Sequence, residues 1–288
     1  MKTNTTILIC IILILNSAFL DGQKRTQMTA GEIIETIIRQ TGSEPVPNTV
    51  DVIKTGKPET QVTGIVTCMF APMSVLRKAV ELKCNLIITH EPVFYNHRDE
   101  TSQFSNDPVF LEKKKFIDDH GLVIWRFHDY IHRMKPDGID YGMARKLQFD
   151  KYLVSGTDNR FVIPETTLEG LLKHLKKVFP GHSFNVIGNL NMKVSKVTFS
   201  AGAPGSAAHF AMLRDPETEV VIAGEVPQWE TYEYVRDAIL QGRNKAIIFL
   251  GHIPSEEAGM EYAAEWIKTF LTGIPVHFVE CQSSYFTY

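Results

Sequence analysis

Short, continuous apolar runs alternate with segments of helical periodicity along most of the chain. The run at residues 86–88 follows a helical segment at 73–83, and the run at 122–125 follows one at 109–120. Unbroken apolar runs predict strands buried on both faces, because a half-exposed strand would alternate apolar and polar residues. The pattern predicts an α/β protein with largely buried sheets.

The second half of the chain repeats this alternation and predicts a second subdomain. We place the boundary after residue 147, which gives subdomains at 23–147 and 148–288. The second half opens with a short apolar stretch at residues 152–154. Its helices are predicted at 168–178 and 231–241, its strands at 193–199, 219–223 and 246–250, and a first amphipathic helix of the chain within 23–40.

The N-terminal residues have the sequence pattern of a targeting segment. Lys2 precedes an apolar run at residues 7–15, and small and polar residues follow it. This predicts a signal peptide at 1–22 and export to the periplasm or the medium. The run is shorter than the roughly 20 residues of a membrane span, so no span remains after cleavage. An uncleaved N-terminal anchor is the alternative.

Composition narrows the classes of function. A chain of 288 residues with 44% hydrophobic and 22% charged residues is typical of a globular protein, and its net charge of −3 argues against binding nucleic acid in bulk. Cys68, Cys84 and Cys281 lack the C-x-x-C spacing of a thiolate metal site. We expect buried thiols and at most one disulfide.

Histidines and acids follow the predicted strands. His90 and Glu91 come directly after the strand at 86–88, and His128, Asp129 and His132 follow the strand at 122–125. Ligand sites of α/β sheets gather at the carboxyl ends of the strands. Imidazole and carboxylate together bind zinc, iron or manganese. Taken alone, however, His90-Glu91 also fits an ordinary surface pair.

The C-terminal half adds three candidates. His252 ends a strand, and Glu256 lies four residues later in a helix whose first turn contains Pro254. Acids at that position also fit simple stabilisation of a helix N-terminus. Glu225 closes the strand at 219–223, where it could bind substrate, accept a proton or form a salt bridge.

Other polar features have weaker claims. Residues 200–206 could cradle an anion through backbone N–H groups but lack the P-loop lysine, and residues 112–115 predict a solvated helix face. His97 and Asp99 lie in a polar loop. The remaining internal histidines are expected to be solvated or structural: His120, His174, His182 and His209.

Three elements together resemble the Nif-three-like family, also described as dinuclear-metal-centre hexameric proteins or GTP cyclohydrolase I type 2 homologues. The first is the strand that ends in Thr89-His90-Glu91-Pro92, where the family has His-His-Pro. The second is the segment 128–132 with the Gly- and Ala-containing helix 142–147. The third joins Gly224-Glu225 to Gly251-His252 and Glu256. The resemblance covers roughly residues 33–279.

The resemblance implies a Nif-three-like fold of two related α/β subdomains in a layered α/β/α arrangement, with two divalent ions at their junction and a toroidal homohexamer. Glu91 replaces the family's second histidine, and His132 takes the place of its aspartate. Asp129 could supply the carboxylate instead. The implied metal ligands are His90, Glu91, His132, His252 and Glu256.

A dinuclear centre indicates hydrolysis of a phosphoester, a nucleotide-like compound, an amide or a cyclic C–N bond by a metal-bridged water. His128 or Glu225 would move the proton, and His128 could also be a ligand or orient one. An exported protein would meet little GTP, so the small-molecule substrate stays open. The alternatives are a non-catalytic metal-binding scaffold or interaction protein, and a fold whose changed ligands have abolished the site.

Overall fold

Two five-stranded sheets organise residues 28–281, the part of the chain that the computed structural model describes. The predicted signal peptide lies outside these residues. The strands are β1 Ile53–Thr55, β2 Ile65–Cys68, β3 Leu86–Thr89, β4 Val123–Arg126, β5 Arg160–Thr167, β6 Asn185–Ile187, β7 Lys193–Ser200, β8 Val220–Ala223, β9 Ala246–Phe249 and β10 Val276–Phe278. The helices are α1 Ala30–Thr41, α2 Met73–Glu81, α3 Pro108–Asp119, α4 Asp129–His132, α5 Gly138–Lys146, α6 Leu168–Val178, α7 Ser206–Arg214, α8 Glu233–Leu240 and α9 His252–Lys268.

The two sheets share a plan. The first has the order β1-β4-β3-β2-β10, and only β1 runs antiparallel to its neighbour. The second has the order β5-β7-β8-β9-β6, with three central parallel strands between antiparallel edges. The α/β class is confirmed, and the carboxyl ends of the parallel strands of each sheet lie at one edge.

Helices cover both faces of each sheet. In β3, Ile88 packs toward α1 and α9, whereas its neighbour Ile87 packs toward α2 and α3. In β8, Ile222 faces α5 and α6, and Val221 faces α7 and α8. Because successive strand residues point to opposite faces, an unbroken apolar strand needs cover on both sides. The layered α/β/α arrangement is confirmed.

Helices α5 and α9 cross closely and join the two layered units. A β-carbon at Gly142 would lie 2.4 Å from the Ala258 carbonyl oxygen, and one at Gly259 would lie 2.5 Å from a side-chain atom of Ile139. Side chains at these positions would force the helices apart. Helix α9 also packs against the first sheet through Met260. The first turn of α9 is therefore fixed at the junction of the two units.

Five strands were not predicted from the sequence: β1, β2, β5, β6 and β10. A short 3₁₀ turn at Asp150–Tyr152 and an isolated bridge at Leu153 take the place of the stretch at 152–154, and β5 is the first strand of the second half. β5 contains Pro164 and a bulge, features that an edge strand tolerates but that obscure its alternation. β10 returns to pair with β2 of the first sheet. The boundary between residues 147 and 148 stays a prediction. Because β10 follows the second sheet in the chain but belongs to the first, the two sheets do not correspond to two continuous halves of the sequence.

The prediction of a solvated face at residues 112–115 is wrong at Lys113. This side chain is 5% exposed, and its Nζ donates to the Val93 carbonyl oxygen at 2.7 Å. The pattern of charges could not show that the loop after β3 covers this helix. The three thiols Cys68, Cys84 and Cys281 are buried and unbridged, as expected. Within residues 28–281, no helix has the length and apolar character needed to cross a membrane.

Candidate metal centre

Residues that follow three different strands meet at the junction of the two units. His90 and Glu91 follow β3, and His128 and His132 flank α4 after β4. Helix α9 begins at His252, directly after β9, and carries Glu256 one turn later on its buried side. The structure thus brings together every residue that the sequence predicted as a metal ligand.

The ring Nε2 atoms and the carboxylate oxygens face one another. His252 Nε2 lies 3.2 Å from Glu256 Oε2 and 3.3 Å from Glu91 Oε1. His90 Nε2 lies 3.6 Å from Glu256 Oε2, and His128 Nε2 lies 4.0 Å from Glu91 Oε1. Within 4.8 Å, the ligand atoms form two groups that share His90: one with His128 and His132, the other with Glu91 and Glu256.

Each histidine of the cluster uses its Nδ1 outside the centre. A histidine whose Nδ1–H donates to an oxygen keeps Nε2 free to bind a metal, and such outer partners also fix the ring. The four acceptors are the Phe127 carbonyl oxygen for His90 at 3.1 Å, Asp129 Oδ1 for His128 at 2.9 Å, Asp137 Oδ2 for His132 at 2.9 Å and Glu225 Oε1 for His252 at 2.8 Å.

Two atoms of the centre fit a bound cation. His90 Nε2 and Glu256 Oε2 are buried and have no hydrogen-bond partner among the described residues. Buried polar atoms are otherwise almost always paired, because an unpaired one costs free energy. A nitrogen lone pair beside a carboxylate oxygen is a donor set for zinc, iron or manganese.

Protonation shows that the centre attracts positive charge. Burial disfavours the protonated form of His252, but the carboxylates of Glu256 and Glu91 close to its ring outweigh burial and raise the pKa of His252 to about 11. Burial likewise opposes protonation of His132, yet its hydrogen bond with Asp137 raises its pKa to about 9. A divalent cation would satisfy the same demand for positive charge.

His128 behaves differently from these two rings. Burial and the neighbouring His90 lower the pKa of His128 to about 4, although its hydrogen bond to Asp129 opposes the shift. Asp129 itself accepts from Thr49 Oγ1 and the Val50 N–H. Its carboxylate is therefore used to hold His128 and the residues before β1, and it does not lie in either ligand group.

Three supporting residues were missed by sequence reasoning. Asp51 accepts from the backbone N–H groups of residues 128, 129 and 130, which fixes the start of α4. Asp137 caps α5 and orients His132. Arg126, fully buried at the end of β4, donates to Glu91 Oε2. Only Asp137, with Gly138 after it, carried a usable signal, that of a helix N-cap.

A cleft of about 1040 Å³ adjoins one side of the centre. His252 and Glu225 belong to its lining, and one wall is formed by the end of α6 with the loop that follows. Charged groups of the lining are mostly acidic: Glu225, Glu257, Glu261 and Glu280, with Lys146 as the lysine among the described residues. Burial raises the pKa of Glu257 to about 7.

The weaker candidates lie outside both ligand groups, although the His97 ring is 6.1 Å from that of His128 and His182 lines the cleft. In the loop 200–206, the Gly202 N–H already donates to Ser255 Oγ, so this N–H is not available to an anion. His174 and His182 contact the carbonyl oxygens of Leu147 and Leu250, as expected of structural histidines. His209 is fully buried on α7, whereas His120 is exposed at the end of α3.

Two relatives are similar to this chain in sequence. A protein of Clostridium acetobutylicum named GTP cyclohydrolase 1 type 2 homolog is 26% identical over 212 residues, which is 70% of this chain and 75% of the relative. A protein of the same name from Mycoplasmopsis pulmonis is 28% identical over 146 residues, 50% of this chain and 57% of that protein.

Solved structures agree at the level of the fold. The Bacillus cereus protein related to NIF3 superposes with a TM-score of 0.70 at 12% identity and covers 91% of this chain and 100% of its own. A NIF3 superfamily protein from Sphaerobacter thermophilus gives 0.51 at 12% identity, with coverage of 88% and 98%. A family profile matches residues 48–284. The chain therefore belongs to the Duf34/NIF3 (NGG1p interacting factor 3) family.

Proposed function

We propose that this protein is a metal-dependent hydrolase with two divalent ions, zinc, iron or manganese, held by the cluster at the junction. One observation carries the proposal. All four histidines direct Nδ1 to an outer acceptor, which leaves three Nε2 atoms and two carboxylates for cations and the Nε2 of His128 for a proton. The proposed ligands are His90, Glu91, His132, His252 and Glu256.

Bound divalent ions would supply a Lewis acid that polarises the substrate and lowers the pKa of water. The chain's own residues would then handle protons. With its pKa near 4, His128 is neutral at neutral pH, and Nε2 is the atom that accepts a proton. Glu225 lines the cleft and holds His252 through Nδ1, and its carboxylate is the alternative group to take the proton from the attacking water and deliver it to the leaving group.

The charge of the cleft favours a neutral or cationic substrate. Away from the two ions, Glu261 and Glu280 line it against Lys146, and they would repel the outer charges of a polyanion. The raised pKa of Glu257 leaves that group only partly charged at neutral pH. We therefore place amides and cyclic C–N compounds before phosphoesters and nucleotides. The name of the two curated relatives, GTP cyclohydrolase 1 type 2 homolog, also refers to opening a ring. The triphosphate of GTP fits this cleft poorly.

Export and assembly are further parts of the proposal. The predicted signal peptide supports export, and N-terminal sequencing of the cell-envelope and secreted fractions tests it. An intact Met1 on a cytosolic protein would refute it. The family resemblance supports a homohexamer, which light scattering after size exclusion would measure.

The metal centre is tested by counting metals per chain in wild type, His252→Ala and His120→Ala. His120 is exposed and remote from the cluster, so its variant controls for losing a histidine. We expect two divalent ions in wild type and in His120→Ala and a loss of both in His252→Ala. Wild type without bound metal under metal-replete conditions would reject the centre.

Activity is tested with amide, cyclic C–N and phosphodiester substrates, each with and without a chelator. The proposal predicts turnover of the first two classes that the chelator abolishes and that metal restores. Turnover that ignores the chelator would reject the mechanism. Two bound ions without turnover of any class would favour the non-catalytic scaffold.

A further inference from the structure

Arg126 is the charged side chain most deeply placed beside the candidate metal centre. It ends β4, is fully buried and donates three hydrogen bonds. Nε donates to the His90 carbonyl oxygen at 3.0 Å, Nη1 donates to the His97 carbonyl oxygen, and Nη2 donates to Glu91 Oε2 at 3.2 Å. The guanidinium thus connects the end of β4 to both residues that follow β3.

A guanidinium without an anion is very costly to bury, so its partner matters. Two of its acceptors are neutral carbonyl groups, and Glu91 is the carboxylate that pairs with it in the described part of the chain. The nearby Asp99 pairs instead with Lys54 at 3.2 Å. Arg126 and Glu91 therefore form one charge-compensated unit.

Because of this pairing, the two carboxylate oxygens of Glu91 have different partners. Oε2 faces Arg126, whereas Oε1 faces the cluster, 3.3 Å from His252 Nε2 and 4.0 Å from His128 Nε2. A carboxylate held in this way can offer only one oxygen to a cation. It also adds little net charge, because the guanidinium offsets it. Histidine, a neutral ligand with one free nitrogen, would need no such partner.

We propose that Arg126 is a positioning residue of the metal centre, which makes Glu91 a one-oxygen ligand through Oε1 and offsets its charge. The inference rests on the proposed metal centre. The competing explanation is a structural clamp that only ties the loop at residues 92–99 to β4. The two explanations differ in what happens when Glu91 and Arg126 are replaced together.

The test measures the affinity for Mn²⁺ by calorimetry, with circular dichroism and thermal unfolding as checks of the fold. The variants are Arg126→Gln, Arg126→Lys, Glu91→His and the double variant Glu91→His/Arg126→Gln. Arg145→Gln is the matched control, because Arg145 pairs with Glu265 on the surface. We expect roughly 10- to 100-fold weaker Mn²⁺ binding in Arg126→Gln and a smaller loss in Arg126→Lys.

Glu91→His alone should also bind Mn²⁺ weakly, because it leaves the guanidinium buried without an anion. The double variant should recover to within about threefold of wild type. The proposal is overturned if the fold losses of Mn²⁺ affinity in the two single variants simply multiply in the double variant. An Arg126→Gln protein that melts earlier but keeps its Mn²⁺ affinity would overturn it as well. If Arg126→Gln does not fold, Arg126→Lys and the double variant decide.

Failure of the metal centre itself would look different. Wild type and Arg145→Gln would then bind no Mn²⁺ and would carry no divalent metal after purification under metal-replete conditions, which rejects the centre and this inference together. Wild-type binding that is unchanged in Arg126→Gln rejects the role of Arg126 and leaves the centre standing.

Discussion

The two sheets have nearly the same plan but different residues at the carboxyl ends of their parallel strands. β3 and β4 of the first sheet are followed by His90, Glu91 and His128, and the last residue of β4 is the buried Arg126. β7, β8 and β9 of the second sheet are followed by the loop 201–205, Gly224 and residues 250–251, with Gly202 in close contact with α9.

This difference indicates that the two sheets contribute differently to the site. The first sheet supplies ligands and the buried charges that hold them. The second sheet supplies His252 and Glu256 on α9, the helix that follows β9, and small residues at its strand ends leave space for that helix. A β-carbon at Gly224, for instance, would lie 2.5 Å from Ser255 Oγ. Both units thus contribute ligands, but the buried charges that hold ligands lie mainly beside the first sheet.

The importance of the space that the second sheet leaves for α9 is tested most strongly by substitution of Gly202. Its φ is +57°, and a β-carbon there would lie 2.4 Å from Glu256 Oε1. Gly202→Ala should displace that carboxylate, lower the free energy of unfolding by roughly 2–4 kcal/mol and remove bound metal. Urea unfolding and metal analysis check both effects.

Gly242→Ala is the matched control, since Gly242 also has a left-handed φ, +76°, with nothing within 4 Å of its added carbon. It should cost only about 1 kcal/mol and keep its metal. Equal losses in the two variants would mean that backbone strain alone explains Gly202.

The contribution of buried charge beside the first sheet to stability is tested at Asp51, which lies just before β1. Both oxygens accept backbone N–H groups, with Oδ2 taking the Tyr130 N–H at 2.9 Å. Asp51→Asn turns one acceptor into a donor, which leaves a buried N–H unpaired and should cost roughly 2 kcal/mol of unfolding free energy. Asp119→Asn, in an exposed pair with Lys115, should change it by less than about 0.5 kcal/mol. Similar losses in both variants would contradict the role given to Asp51.

The buried amine of Lys113 gives a pH dependence. Burial lowers its pKa from 10.5 to about 8, so between these values the unfolded chain binds more protons than the folded one. Wild type should therefore gain stability relative to Lys113→Met as pH rises from 8 to 10.5, by roughly 1–2 kcal/mol. Denaturant unfolding across this range checks the slope. Lys114 is exposed on the same helix, so Lys114→Met should show the same pH dependence of the unfolding free energy as wild type. If Lys113→Met also shows that dependence, the lowered pKa of Lys113 is contradicted.

The second sheet should respond least to loss of its polar groups. Its buried pair Thr198 Oγ1 and Thr218 Oγ1 lies at 2.7 Å. Thr198→Val leaves one hydroxyl unpaired and should cost about 1 kcal/mol, whereas valine at both positions should cost less than about 0.5 kcal/mol. A double-mutant cycle measures the coupling. A double variant as damaged as the Asp51 variant would break the contrast between the sheets.

The sequence was most informative where one residue type follows a strong local pattern. His90, His132 and His252 stand out because each comes soon after a recognisable strand, and strand ends meet at one edge. Asp51 and Arg126 could not be identified this way, because their partners lie far away along the chain and an isolated Asp or Arg usually faces solvent. Lys113 was misread for the same reason.

Irregular strands set the other limit. β5 pairs at an edge around a bulge, and β10 is too short for a periodic signal. Their places depend on neighbours rather than on their own residues. Four helices with a clear periodicity, α2, α3, α6 and α8, were predicted to within a few residues, whereas α7 was not predicted.

The return of β10 to β2 has a consequence for biosynthesis. Val276 pairs with Ile65, so the first sheet receives its last strand only after all strands of the second sheet have left the ribosome. The unit encoded first is therefore completed last, after the second has had its chance to fold. A chain cut short before residue 276 would leave the edge of β2 open, and the half of the protein furthest from the lesion would be the one exposed to aggregation.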